Sequence, residues 1–523
     1  MHDFSHKKPW LTPLKLAAIA VLLLLGLGVA FLVTVMYADP KVTVDYGAKA
    51  HELVRKRQNM PPDALNEWDL IGRIAAKHTA AREAVQARNP DWPLIAFDFT
   101  LLYRPDAEAS KDTTREHTIA AATEWIAEFR ALGGLDDLAR LPKITFAARP
   151  AQEGAFINVL LPELGQMRSI ARMNAARMAL AANAGDDAER LAAFEQSLAS
   201  ARLLGAQQTL IDALVGNAID ALACGELRHE LIEHPPTAAA ARDLLAAMDR
   251  QQLPPLGPVF DTERFFSLDT IQRTFSDDGG GNGRFLPTAA AEFGMDTAGT
   301  TFGVPVRAET FRVFNVLGLL HPDRRSTEAR ANEIYDHFMK VSAMTRAERA
   351  AMTAPDPTAG LQRFKILELM VPAFGKALQS RDQIDADLAA TRLILALEIH
   401  HAEKWAYPAT LAELAPSIVP EVPLDATNGK PFGYRLLAPG EDAHGRGFLL
   451  YSVGTDGVDN GGSMGATPDR VVTPFQASGL TDFVYNQPRP APKPVDESAA
   501  PVKPAEPPTQ DVHIAPAPSP GKN

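Results

Sequence analysis

Residues 16–36, LAAIAVLLLLGLGVAFLVTVM, run for 21 positions without a charge, and no other stretch constrains the fold as strongly. As a helix rising about 1.5 Å per residue the run is roughly 31 Å long, the thickness of a bilayer's hydrocarbon core. Lys7, Lys8 and Lys15 precede it; Asp39 and Asp45 follow. The positive-inside rule then places residues 1–15 in the cytoplasm and the bulk of the chain on the periplasmic or otherwise extracytoplasmic side of the plasma (inner) membrane. A cleaved signal peptide is the rival reading. Its apolar core usually runs only about 7–15 residues, and Met36-Tyr37-Ala38 places a bulky residue where cleavage prefers a small one. The expectation is an uncleaved signal-anchor that crosses the membrane once. A mean hydropathy of −0.11 excludes a multi-span protein. The balance of 52 Lys+Arg against 64 Asp+Glu, a net charge of −12, argues against nucleic acid as a partner, because phosphate neutralisation needs clustered cations. Cys224 is the sole cysteine, which excludes an intramolecular disulfide and a thiolate zinc cage.

The fold class expected is mainly α: a single transmembrane helix, a body of helical hairpins, a small α+β domain and a disordered tail. Residues 37–150 read as mixed but mainly helical, with a short strand or buried loop at 95–99 and a second strand at 143–147. Residues 151–255 are the most regular. Leu164, Met167, Ala171, Ala175 and Met178 share one helical face, as do Leu191, Phe194, Leu198 and Ala201, and Ile211, Leu214, Ala218 and Leu222. The breaks at 183–187 and near Gly205 are short, which implies antiparallel helical hairpins. Cys224 sits in the third of these helices and reads as a small buried residue. Residues 256–380 are irregular, with helices expected at 327–344 and 361–378. Residues 487–523 hold eleven prolines among Ala, Lys, Glu and Ser, too little apolar surface to offset chain entropy.

Residues 381–486 carry the most information. A helix over 385–402 precedes Tyr407-Pro408-Ala409-Thr410-Leu411-Ala412-Glu413-Leu414, where Thr410 and Glu413 have capping-box spacing. An Asn428-Gly429 turn leads to strands at 432–437 and 448–452, then to Gly454-Thr455-Asp456-Gly457-Val458-Asp459-Asn460-Gly461-Gly462. The succession YPATLAEL, VPLDATNGKPFGYRL, FLLYSVGTDGVDNGG and TDFVY resembles the globular part of the major pseudopilin of type II secretion systems (the secretion protein G-like family). The whole chain resembles large membrane-anchored proteins with this ending. The pseudopilin leader before Phe-Thr-Leu-Glu and the glutamate five residues into the mature helix are missing here, and some 340 residues separate the apolar helix from the module. Processing and polymerisation as a pseudopilin are therefore not expected.

The resemblance implies calcium in the loop, with Asp456 at the matching position, Asp459, Asn460 and Asp482 as neighbouring oxygen donors and Val453 supplying a carbonyl. Oxygen donors on a sharp Gly-rich turn suit a hard cation. The same residues also suit a plain Gly-Asp turn held by Asx hydrogen bonds. An EF-hand is excluded, since Val458 and Thr467 stand where ligands are required. Other chemistry fails on spacing. His51-Glu52-Leu53-Val54-Arg55 and His229-Glu230-Leu231-Ile232-Glu233 both lack the second histidine of a zincin. Gly461-Gly462-Ser463-Met464-Gly465 lacks the strand and helix of a nucleophile elbow. The loop 277–283 lacks the Lys-Ser/Thr of a P-loop. His400, His401 and Glu403 read as helix surface. The function expected is that of a membrane-anchored envelope scaffold or binding protein, secretion-related and with protein partners. The alternative is an envelope enzyme with a site between the helical body and the C-terminal domain.

Overall fold

The computed structural model describes residues 13–92, 99–103, 115–156, 161–292, 312–353, 357–371, 374–464, 473–476 and 481–489. The Pro-rich segment beyond 489, and all of 95–99 except Phe99, lie outside these residues. The chain is mainly helical. Helix α1 (Pro13–Met36) leaves its apolar side chains from Leu16 to Val33 exposed to the surroundings rather than packed on protein. Its end is gripped by the body. Asn315 Nδ2 donates to the Met36 carbonyl at 3.1 Å, and Arg312 pairs with Asp39 at 3.1 Å and lies over the Tyr37 ring.

The body contains α2 (Tyr46–Arg57), α3 (Trp68–Arg88), α4 (Arg115–Ala131), α5 (Pro162–Ala184), α6 (Asp187–Gly205), α7 (Leu210–Glu233), α8 (Ala238–Arg250), α9 (Leu256–Thr274) and α10 (Arg324–Ser342). The break between α5 and α6 follows from two residues. Gly185 takes a left-handed conformation (φ 70°), and the Asp186 carboxylate caps α6 by accepting from Glu189 N at 3.0 Å. Helix α7 begins with a capping box between Thr209 and Asp212. Helices α5, α6 and α7 pack on one another so closely that a Cβ on Gly216 would lie 2.7 Å from the Ala201 carbonyl oxygen and 3.1 Å from Gly205 N.

The segment expected as a strand at 143–147 leaves a 3-10 turn (Leu141–Lys143) in extended conformation at Ile144 and pairs with no strand among the described residues. Side-chain amides stand in for a neighbour. Gln58 brackets Ala147 with bonds to its N–H and C=O at 2.9 Å each, Asn66 does the same to Ala148 at 3.0 and 2.8 Å, and Gln207 accepts from Arg149 N at 2.9 Å. Arg149 itself is buried. Its guanidinium meets Asp212 through two bonds of 2.8 and 2.6 Å, meets Glu163 at 2.6 Å, and lies over the Trp68 ring. One side chain thus ties α3, α5 and α7 to the extended segment.

The C-terminal module is built on α11 (Phe374–Lys404), which breaks from the preceding helical turns at 361–371 instead of continuing them. Most of α11 is buried. Leu393, Ile394, Leu395, Leu397 and Ile399 share one core with Leu227, Leu231, Leu244 and Met248 of the body and with Phe432, Phe448, Leu450, Phe483 and Tyr485 of the module. Strands β1 (Leu424–Asp425) and β2 (Lys430–Pro431) form a small antiparallel pair. Strands β3 (Gly433–Leu436), β4 (Phe448–Ser452) and β5 (Phe483–Val484) form an antiparallel sheet in the order β3-β4-β5, with Gly433 opposite Tyr451 and Tyr451 opposite Val484. Between α7 and α11 the Arg228 guanidinium bonds Asp387 Oδ1 at 3.0 Å and Thr391 Oγ1 at 2.8 Å, and lies over the Tyr485 ring.

The α6–α7 contact leaves no room for a methyl group. Gly216→Ala is expected to lower stability by about 1–3 kcal/mol through overpacking, despite alanine's better helix propensity. Chemical denaturation of the detergent-solubilised chain measures this, with Gly225→Ala on the same helix as the control, since a Cβ there meets only the Arg228 side chain at 4.0 Å.

Candidate functional site

The loop 453–462 rests on a stack of polar and aromatic contacts that begins at the end of α11. Trp405 terminates that helix in the left-handed region (φ 61°), its N–H donating to the His401 carbonyl at 2.7 Å. His400, expected on the surface, is buried and bonds through Nδ1 with the Ala406 carbonyl at 2.8 Å. His401 stacks on the Tyr407 ring with centroids 4.3 Å apart, and Tyr407 meets Phe448 edge-on at 4.9 Å. The Tyr407 hydroxyl donates to Glu398 Oε1 at 3.1 Å. Burial raises the Glu398 carboxyl to about 7, although the Tyr407 bond works in the opposite direction. Thr410 and Glu413 form the expected capping box, over a single 3-10 turn (Leu411–Leu414).

The turn at 425–431 and the loop after β4 interlock through Asp425, which is fully buried. Its Oδ1 accepts from Thr427 N at 2.8 Å and Thr427 Oγ1 at 2.7 Å; its Oδ2 accepts from Asn428 Nδ2 at 2.8 Å and from Ser452 Oγ. Ser452 Oγ in turn accepts from Gly454 N at 3.1 Å, and Asn428 Nδ2 also reaches the Gly454 carbonyl at 3.3 Å. The Asp-Ala-Thr-Asn-Gly turn and the Tyr-Ser-Val-Gly strand end are thus one hydrogen-bonded unit. The motifs in these two segments give Asp425 no evident role. The signal available was an aspartate two residues before a threonine at a turn, an Asx arrangement.

The structure brings some of the expected site residues together and leaves others apart. Asp459 Oδ1 accepts from the Tyr451 hydroxyl at 3.0 Å and from Gly461 N at 2.8 Å. Asp482, fully buried at the head of β5, accepts through Oδ2 from Asn460 N at 3.0 Å and Gly462 N at 2.8 Å. Gly462 can hold its place because φ is 78° and because a Cβ there would press on Leu449 and Tyr451 at 3.0–3.1 Å. The other Asp482 oxygen, Oδ1, is buried with no hydrogen-bond partner among the described residues. Burial raises the Asp482 carboxyl above the ordinary range, the negative charge of Asp459 adds to this, and the backbone N–H groups oppose it.

Asp456 closes its own Asx turn, accepting from Val458 N at 3.0 Å, and the Lys430 ammonium approaches the next residue's carbonyl, Gly457 O, at 3.4 Å. The Asn460 side chain donates to Val458 O at 3.3 Å. The Val453 side chain packs with Leu449, Tyr451 and Val484. Asp459 and Asp482 thus gather the backbone N–H groups of residues 460–462, with Asn460 entering through its backbone and its side-chain amide turned to Val458 O. A buried carboxylate oxygen without a donor, beside a second carboxylate, fits a hard cation in chemical type. Three backbone N–H groups on the same two carboxylates hold the loop by themselves.

No family model, curated protein or solved structure matches this chain.

Glu398 offers a measurable pH dependence. Its folded pKa of about 7 lies above the ordinary 4.5, so its stabilisation is complete below 4.5 and is lost as pH rises towards 7 and beyond. Glu398→Gln, neutral throughout, is expected to match the wild type in acid and to exceed it by about 1–3 kcal/mol at pH 8. Unfolding curves across that range measure the difference.

Proposed function

We propose that this protein is a membrane-anchored scaffold or binding protein of the cell envelope, with residues 1–15 cytoplasmic and the folded body outside the cytoplasm. The observation that carries this reading is α1. Its helix over Lys15–Met36 is long and apolar enough to cross a bilayer, and none of its most apolar window is buried in protein. The grip of Asn315 and Arg312 on its outer end seats the body directly on the anchor. Residues 1–15 have the basic character that the positive-inside rule assigns to the cytoplasm. The broad surface of α-hairpins is the part offered to protein partners, in the secretion-related role that the resemblance of the C-terminal module implies.

The anchor reading has a direct test. The chain is expected to stay in the membrane fraction through alkaline carbonate extraction, and protease added from the periplasmic side is expected to digest the body while sparing an N-terminal tag. Release by carbonate, or protection of the body, overturns the topology. Capture from detergent-solubilised membranes then tests for envelope partners; a lone monomer counts against the scaffold.

The C-terminal module is the pseudopilin-like part of this reading, and its loop binds calcium through Asp459, Asn460 and Asp482. What supports this is the buried Oδ1 of Asp482, which has no hydrogen-bond partner among the described residues. Bound calcium would supply positive charge to the paired carboxylates and brace the loop against β4 and β5. The test uses the whole chain in detergent, because α11 shares its core with the body. Calcium is expected to raise the melting temperature by about 2 °C or more and EDTA to reverse it. Asp482→Asn and Asp459→Asn are expected to abolish the response. Equal melting with calcium and with EDTA rules the site out.

A further inference from the structure

The last two turns of α7 carry a second group of acidic side chains. Glu226, Glu230 and Glu233 fall at i, i+4 and i+7, and His234 follows directly. Arg489, just beyond β5, lays its guanidinium on them. It reaches the two oxygens of Glu226 at 3.0 and 3.2 Å, bonds Glu230 Oε1 through Nη2, and brings Nε to 3.4 Å from Glu233 Oε1. Three carboxyl groups thus share one guanidinium. Arg190, a second cation nearby, donates to the His234 carbonyl at 3.0 Å but pairs with Asp187. The second oxygen of Glu230, Oε2, is buried without a hydrogen-bond partner among the described residues, on a side chain only 1% exposed. Glu230, Glu233 and His234 each place a ligand atom within 4.8 Å of the other two.

We infer that Glu230, Glu233 and His234 bind one divalent transition-metal ion of the zinc class, alongside Arg489. The donor set selects the metal. Two carboxylates alone would suit calcium or magnesium, but an imidazole shifts preference to zinc and its neighbours. Three protein ligands also leave a position for water, as in open zinc sites. The end of a helix is the favourable place for a cation, because the unsatisfied carbonyls there carry partial negative charge. The zincin-like string His229-Glu230-Leu231-Ile232-Glu233 is thereby resolved. The ligands stand at i, i+3 and i+4 and include the residue after the string. Such an ion ties the end of α7 to the point where the chain leaves the module, since Glu230 and Glu233 are shared with Arg489.

The full chain in detergent, stripped with chelator, is titrated with zinc chloride by calorimetry. A single saturable site is expected, with affinity falling about tenfold or more in His234→Ala and Glu233→Gln. Both residues are at least partly exposed, so folding is preserved, which circular dichroism checks. Cobalt substitution is expected to give a visible d–d band that disappears in His234→Ala. Arg489→Gln is expected to bind zinc at least as tightly, because it removes a positive charge. Asp482→Asn is expected to bind zinc like the wild type, so failure of the calcium loop and failure of this site are distinguishable. No saturable uptake, uptake unchanged in His234→Ala and Glu233→Gln, or loss of uptake in Arg489→Gln overturns the inference; the last assigns the carboxylates to the guanidinium.

Discussion

The buried pair of Arg228 and Asp387 decides how the C-terminal module sits on the body. Apolar faces of two helices can slide past one another at little cost, but a guanidinium bonded to a carboxylate and a threonine hydroxyl inside the core has one acceptable register. Removing one partner would leave an uncompensated charge in a low-dielectric interior, at a cost of about 3–5 kcal/mol. Burial raises the Asp387 carboxyl, and the Arg228 charge acts against that rise. With α11 fixed against α7, Tyr485 is fixed over the same guanidinium. The sheet and the loop beyond it inherit their positions from that contact.

Arg149 plays a comparable part in the body. Its two carboxylate partners come from separate helices, and the Gln207 side-chain carbonyl receives its backbone N–H. Both arginines are surrounded by acceptors, so few of their donors go unmet. A mainly helical protein with so many alanines on its interior faces allows close helix approach, as at Gly216, and these polar ties select among the close approaches available.

What could be read from residues in order was whatever local chemistry dictates. The uncharged run at 16–36 needs no partner to be recognised, and Gly185-Asp186 and the Thr410–Glu413 pair carry their own stop and start signals. The strand expected at 143–147 does not form, because the hydrogen-bond partners around Ala147 and Ala148 are amide side chains of Gln58, Asn66 and Gln207, some 60–90 positions away. His400, His401 and Glu403 lack the i, i+4 spacing of a ligand pair and read as helix surface, yet His400 is buried and bonds with the Ala406 carbonyl where the chain folds back. Among the residues expected at the loop, Asp456 stands out by its motif and caps its own turn, whereas Asp459 and Asp482 take hydrogen bonds from Tyr451 and from the backbone of residues 460–462. The bonds that make Asp482 half-satisfied come from backbone N–H groups, which no residue type reveals. Glu230 and Arg489 lie 259 positions apart, and their meeting was invisible for the same reason.

The grip on the outer end of α1 has a consequence for encounter rates. A domain on a slack linker explores a hemisphere of positions above the membrane, and any fixed partner sees only a small part of that volume at a time. Here the carbonyl of Met36 and the carboxylate of Asp39 are held by the body itself. On the proposed membrane-anchored reading, lateral diffusion in the plane would remain while these two contacts restrict height and tilt. A membrane-bound partner of matching height would then meet this protein in a two-dimensional search with its binding face already turned the right way. One whose contact surface stands at another height would be excluded without any repulsive residue.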